Sequence, residues 1–161
     1  IENSIWGTIG SLLVTYNYAD EDGLKEFRKG LDKALNESSV QRVIIIVSIP
    51  KGLDKNSLSP HFLIYYNGPG DYGLFGGLKD HQLATELKRS FDALICFGVM
   101  KKQLKATLRQ TEIGKKILVN SELMQDTSYD LELNSASDSP SEVIQFVVET
   151  LQKIDAHEPQ L

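Results

Sequence analysis

The sequence predicts one α/β domain of the three-layer Rossmann-like or flavodoxin-like class, with a mostly parallel sheet of about five or six strands. Strand-like and helix-like segments alternate from one end of the 161 residues to the other, and the strand-like segments are almost continuously apolar. Alternation indicates crossover connections, and apolar strands of this kind are typical of a parallel sheet covered by helices on both faces. We place the domain at residues 1–154 and a polar C-terminal tail at residues 155–161.

The first half of the chain predicts three strands and one helix. In chain order these elements are a strand at residues 9–16, a helix at 24–35, and strands at 40–50 and 61–66. An acidic turn follows the first strand, and Asp20 or Asp22 can cap the exposed amide groups of the helix. Leu24, Phe27 and Leu31 recur at helical spacing and form its buried face. The second strand holds five consecutive β-branched residues, which suit a strand buried on both sides.

The second half continues the alternation. Its elements are a helix from residue 80, a strand at 93–98, a helix at 101–112, strands at 115–119 and 129–133, and a helix from residue 140. We expect Gly114 to end the helix that precedes it. The last helix has a predicted capping box, in which Ser139 is the N-cap, Pro140 occupies the first helical position and Glu142 completes the box.

A glycine-rich segment, YYNGPGDYGLFGGLKD at residues 65–80, contains the string G-x-G-x-x-G of dinucleotide-binding folds. In those folds the string joins the first strand directly to a helix, whose amide groups hold the pyrophosphate. Here it follows the third predicted strand, and six residues separate it from the helix at Asp80. The nearest suitable carboxylate, Asp92, lies before its strand rather than after it. We therefore interpret the segment as a loop, and expect Tyr72, Leu74 and Phe75 to fold back on the sheet edge and anchor it.

The composition argues against several classes of protein. A net charge of −5 disfavours nucleic-acid binding, for which a positive excess supplies the affinity. No apolar run has the length of a membrane-spanning helix. The single cysteine, Cys96, excludes an internal disulfide, and we expect a reducing, cytoplasmic compartment. Because Cys96 lies within the apolar run ALICFG, we interpret it as a buried core residue. The start at Ile1 rather than at methionine is consistent with a trimmed N-terminus.

The sequence contains no recognisable pattern for a cofactor, a metal or a catalytic group. No G-K-[ST] follows a strand and no G-x-S-x-G occurs, and the segment NYADED after the first strand would repel a phosphate. His61, His81 and His157 are isolated from one another and have no ligand-like spacing to Cys96. We therefore predict no cofactor, no metal and no catalytic residue.

A basic helix face is the remaining candidate site. Lys101, Lys105 and Arg109 follow one another at intervals of four, and Lys102 lies beside them. In doubly wound sheets, ligands bind beyond the carboxyl ends of the strands, where the strand order reverses. If the first and fourth strands flank that point, the crevice is lined by Asn17, Tyr18, Gly98, Lys101 and Lys102. The alternative interpretation is a solvated basic face that promotes solubility.

The segments IGSLLVTYN, DYGLFG, FDALICFG and LRQTEIGKKILVN…YDLELN resemble an uncharacterised bacterial family of single Rossmann-like domains of unknown function. The resemblance covers residues 9–154 and implies the fold, but no activity or catalytic residue. The segment from FDALI to GKKILVN also resembles the N-terminal half of heptosyltransferase-like glycosyltransferases. Those enzymes bind their sugar nucleotide mainly through a second domain, so this resemblance argues against transfer by this chain alone.

Two hypotheses for the function follow. The first is a non-enzymatic α/β binding or interaction module with a protein partner, because the fold pattern is intact and no catalytic set is recognisable. The second is a site for a nucleotide, a sugar nucleotide or a phosphorylated metabolite at the crevice after the first and fourth strands, with an ancestry related to glycosyltransferases. The basic helix face supports the second hypothesis.

Overall fold

The computed structural model describes residues 3–121 and 128–157. Its strands are β1 (Ser11–Asn17), β2 (Arg42–Ser48), β3 (Ile64–Asn67), β4 (Phe91–Phe97), β5 (Ile113–Val119) and β6 (Leu131–Leu133). Its helices are α1 (Ile5–Thr8), α2 (Glu21–Asn36), α3 (His81–Glu86), α4 (Lys102–Leu108) and α5 (Pro140–Lys153). The strands form one six-stranded sheet of order β3-β2-β1-β4-β5-β6, and every neighbouring pair is parallel. The predicted fold class is confirmed, and this strand order is that of Rossmann-type folds.

Helices cover both faces of the sheet, and β1 shows how its side chains divide between them. Leu12 and Val14 belong to a core with residues of α1, α2 and α5, whereas Leu13 belongs to a second core with residues of α3 and α4. None of the three is exposed to solvent. Successive side chains in a strand point to opposite faces, so a strand buried on both sides is apolar throughout. This division explains the unbroken apolar runs of the sequence.

Gly114 does not end a helix, and that prediction is wrong. The helix α4 ends at Leu108, and Gly114 lies within β5, beside Asp92 of β4. A Cβ atom at Gly114 would stand 2.6 Å from the backbone oxygen of Asp92. The glycine is therefore required by the close approach of two strands, a contact that local sequence pattern does not reveal.

The predicted capping box at α5 is also wrong, although Ser139 is the N-cap and Pro140 opens the helix. The Ser139 hydroxyl donates to Glu26 of α2 instead of accepting from α5, and the Ser141 hydroxyl donates to the same carboxylate at 2.9 Å. Glu142 accepts from the Ser137 hydroxyl. The hydroxyl groups of Ser139 and Ser141 therefore bond the start of α5 to α2. The Ser139 side chain does not cap α5, because the Glu26 carboxylate on the neighbouring helix competes for its hydroxyl group.

The N-terminal helix α1 was not predicted from the sequence. Ser4 caps it, and both Ile5 and Trp6 are buried. The Ile5 amide donates to the Ile154 carbonyl oxygen at 2.8 Å, and Ser4 and Asp155 form an antiparallel bridge. A four-residue helix offers too little periodicity to be recognised, and its position depends on these contacts with the end of α5.

Replacing Gly114 with alanine should lower the free energy of unfolding by about 1–3 kcal/mol, because the added methyl group meets backbone that cannot move without disturbing the sheet. Gly70→Ala is the matched control, since a Cβ at Gly70 would have no atom within 4 Å. Urea denaturation of both variants measures the difference. Equal effects of the two substitutions would contradict the close-approach explanation.

Glu26→Gln should destabilise the protein in a manner that depends on pH. Hydrogen bonds from Ser139 and then Ser141 lower the pKa of Glu26 in the folded protein. The stabilisation is therefore complete above the ordinary glutamate pKa and is lost as the pH falls through the lowered pKa of the folded state. The gap in unfolding free energy between the parent and Glu26→Gln should be widest near neutral pH and close below about pH 4. Glu37→Gln, which removes a carboxylate at an exposed position after α2, is the matched control.

Candidate functional site

The strand order reverses between β1 and β4. From β1 the chain proceeds outward through β2 to β3, and from β4 it proceeds in the other direction through β5 to β6. All strands are parallel, so the loops that follow them meet at one edge of the sheet, which we call the carboxyl edge. Ligands of doubly wound folds bind at this edge, near the point of reversal.

Protein atoms bridge the gap between the ends of β1 and β4. The Asn17 side-chain amide donates to the Val99 carbonyl oxygen at 2.9 Å. Gly98 has a φ of +92°, and a Cβ atom there would stand 3.0 Å from the Asn17 side-chain nitrogen. This glycine therefore permits the backbone after β4 to turn against Asn17, and the hydrogen bond occupies the centre of the predicted crevice.

The five predicted site residues do not gather in one crevice. Tyr18 is half-buried and packs against the core on the α2 and α5 side, and Gly98 lines a pocket of about 280 Å³ that also contains Asn120 and Asp138. Lys101 and Lys102 line a separate pocket of about 480 Å³. The reason is that α4 packs on the other face of the sheet from α2, so its first residues lie away from Tyr18.

The pocket that contains Lys101 and Lys102, here called the edge pocket, is built by three segments that follow β2, β3 and β4. Ile49, Tyr72 and Leu104 supply an apolar, buried part of its wall. Lys101 and Lys102 stand on its rim together with Lys51, and all three lysines are exposed. Within the part of the chain that the structure describes, no carboxylate forms an ion pair with any of them. The rim is therefore locally cationic although the whole chain carries a charge of −5.

The glycine string contributes directly to this pocket, through Gly68 and Pro69. A Cβ atom at Gly68 would stand 3.0 Å from the Ile49 side chain and 3.3 Å from its carbonyl oxygen, so only glycine fits there without displacement. The Gly68 amide donates to an Asp71 carboxylate oxygen at 2.7 Å, and Asp71 also pairs with Lys55. The string thus shapes a loop wall, and α3 begins only at His81, as expected for a loop rather than a dinucleotide cradle.

Asn67, the last residue of β3, is the polar group that the sequence analysis missed. Asn67 lines the edge pocket although it is only 5% exposed. The Tyr72 hydroxyl donates to Asn67 Oδ1 at 2.8 Å, and burial raises the pKa of Tyr72. Among the described residues no protein acceptor bonds Asn67 Nδ2. A polar residue that ends a strand and precedes a glycine was the available sequence signal.

The loop beyond Tyr72 corrects another expectation. Tyr72 is buried as predicted, but Leu74 is 94% exposed and Phe75 is 97% exposed. A bridge between Tyr72 and Leu78 and two backbone hydrogen bonds, from Gly73 to Gly77 at 2.7 Å and from Gly76 to Gly73 at 3.0 Å, form a tight hairpin turn. Leu74 and Phe75 occupy the middle of this turn, beyond the last backbone pair, and have no sheet surface to pack against.

The remaining reactive groups do not form a second site. Cys96 is fully buried, which confirms its predicted core position, and burial raises the pKa of its thiol. Across residues 3–121 and 128–157, no three histidine, cysteine or carboxylate side chains come together as a metal site would require. None of the helices in those two ranges combines the length and the apolar composition needed to cross a membrane.

Tyr72→Phe should lower the free energy of unfolding by about 1 kcal/mol, because it removes the hydrogen bond to Asn67 and leaves a buried acceptor without its donor. Tyr65→Phe is the control, since the half-buried Tyr65 hydroxyl has no hydrogen bond to any residue that the structure describes. Thermal and urea denaturation compare the two variants. A Tyr72→Phe protein as stable as the Tyr65→Phe protein would contradict the anchoring role of this hydroxyl.

In comparisons with known proteins, no family model, no curated protein and no solved structure matches this chain. The resemblance to an uncharacterised bacterial family of Rossmann-like domains stays a prediction. The functional argument therefore depends on the geometry of the edge pocket.

Proposed function

We propose that the chain is a non-enzymatic binding module whose edge pocket takes a small anionic molecule with a phosphate group. The observation that carries this proposal is Asn67, which is only 5% exposed, lines the pocket and has a side-chain amide nitrogen that no acceptor among the described residues bonds. Asn67 Nδ2 is not one of the solvent-inaccessible unpartnered atoms of the described residues, so it is open to the pocket and available as a donor to an external ligand.

The charges around Asn67 favour an anion. On the pocket rim lie Lys51, Lys101 and Lys102, which have no carboxylate partners in the described chain. Each ammonium group can donate hydrogen bonds but cannot accept them. The Asn67 amide is a further donor. Phosphate oxygens accept such bonds and gain from the positive charge, as in other lysine-based phosphate sites.

The size and the chemistry of the wall favour binding rather than catalysis. A pocket of about 480 Å³ lies within the range of small-molecule sites, and its apolar part suits a ligand that carries more than the phosphate alone. Apart from the Tyr72 hydroxyl, which is bonded to Asn67, the polar side chains in its lining are amides and ammonium groups, which orient and neutralise an anion. This supports the binding form of the module hypothesis over a transferase.

A charge reversal at the rim tests the proposal. Inorganic phosphate, ATP and a uridine diphosphate sugar should be screened by thermal shift, and at least one should raise the unfolding free energy by about 1.4 kcal/mol at ten times its dissociation constant. Lys101→Glu combined with Lys102→Glu should abolish that stabilisation. The matched control is Lys88→Glu with Lys153→Glu, which changes the net charge equally at exposed positions away from the pocket.

Asn67→Asp is a sharper variant, because the carboxylate keeps an acceptor for the Tyr72 hydroxyl while it replaces the free amide with negative charge. It should weaken binding of the best probe by at least about tenfold, the equivalent of one lost charge-assisted hydrogen bond. Isothermal titration measures this change. Failure of every probe to stabilise the parent protein, or unchanged binding in both pocket variants, would refute the proposed site.

A further inference from the structure

The hairpin turn that carries Leu74 and Phe75, here called the apolar tip, presents two large apolar side chains in full contact with solvent. The backbone around them is ordered by the bonds among Gly73, Gly76 and Gly77, and Gly76 adopts a φ of +86° that favours glycine. The two side chains therefore cannot fold back on the domain while this turn persists. Burying them requires a surface outside the chain.

The apolar tip lies beside the cationic rim of the edge pocket. Tyr72 lines the pocket and Leu74 is two residues further, so at most about 7 Å of extended chain separates them. Exposed Lys79 follows the turn and forms no ion pair within the described residues. The two nearest carboxylates are engaged, Asp71 by Lys55 and the Gly68 amide, and Asp80 by the Leu83 amide at the start of α3.

We infer that the α4 side of the carboxyl edge docks on an anionic phospholipid surface. Leu74 and Phe75 enter the apolar boundary of the bilayer, and the rim lysines meet the phosphate headgroups, one of which the edge pocket takes. Peripheral binding of this kind needs two signals, an apolar anchor and a basic patch, and this edge presents both. The inference rests on the proposed function and names a lipid headgroup as the source of the anion.

Asp20, Glu21 and Asp22 lie at the start of α2, which follows β1 and therefore begins at the same carboxyl edge, but on the face of the sheet opposite to α4. The docking contact is therefore assigned to the α4 side of that edge. The net charge of −5 is thus unevenly distributed, with unpaired lysines on the α4 side of the carboxyl edge.

A second copy of the chain fits the apolar tip less well. Two side chains cover roughly 400 Å² at most, whereas a stable protein interface buries about 800 Å² on each partner. A bilayer surface does not have this requirement, because it accepts individual apolar side chains and supplies a continuous layer of phosphates around them.

Co-sedimentation of the full chain with lipid vesicles tests the inference. The protein should bind vesicles of phosphatidylserine mixed into phosphatidylcholine, and binding should weaken with added salt and be absent for phosphatidylcholine alone. Leu74→Ser combined with Phe75→Ser should reduce the bound fraction by at least about tenfold. Phe62→Ser is the matched control, because Phe62 is 87% exposed at the opposite edge, before β3, and should bind as the parent does.

The arms of the experiment separate this inference from the proposed function. The Leu74→Ser and Phe75→Ser protein should keep its stabilisation by the best phosphate probe, whereas Lys101→Glu with Lys102→Glu should lose both probe and vesicle binding. Probe binding without vesicle binding by the parent overturns the lipid inference and leaves the pocket proposal standing, with a protein partner for the tip. Vesicle binding that survives the tip substitutions, or that survives the lysine reversal, also overturns the inference.

Discussion

Parallel pairing of all six strands is the constraint on which the rest of the molecule depends. A strand that is parallel to its neighbour cannot be reached by a tight turn, so each connection must cross a face of the sheet and return. Among the described residues, three of these connections contain an α-helix, namely α2 between β1 and β2, α3 between β3 and β4, and α4 between β4 and β5. Together with α1 and α5, these helices bury both faces of the sheet. The loops that follow the strands are all left at one edge, and this brings together Lys51, Asn67 and Lys101, which are distant in the sequence. The candidate site is therefore a product of topology rather than of a local motif.

Internal contacts at that edge decide which charges remain available. Asp71 lies within the glycine string, but the Gly68 amide and Lys55 satisfy its carboxylate. Asn17 is likewise committed to the Val99 carbonyl group. What remains beside the edge pocket is a set of donors, the rim lysines and the Asn67 amide, with no carboxylate in the pocket lining. This part of an acidic protein is thus locally cationic, as the proposed anion site requires.

Much of the fold could be predicted from the sequence, and little of the site. Whether a residue is apolar or polar indicates whether it is buried, and the order of apolar and polar residues indicates strands and helices. The fold class and the buried position of Cys96 could therefore be predicted from the sequence. Gly114 and Ser139 were misassigned because their roles are contacts with β4 and with Glu26, on other elements. The pocket was missed for the same reason. Its lysines and its glycine loop were each recognised, but only the strand order shows that they face one another.

Leu74 and Phe75 cannot be explained by the stability of the fold. Side chains that are more than nine-tenths exposed contribute almost nothing to the hydrophobic core, whereas Tyr72 anchors the loop through its burial and its bond to Asn67. A loop selected only for closure would gain from polar residues at these positions, which lie at the middle of a turn. The backbone bonds among the surrounding glycines instead hold two apolar side chains outward, beside a rim of unpaired lysines. An external surface that is both apolar and anionic accounts for the two features together, and neither feature alone requires it.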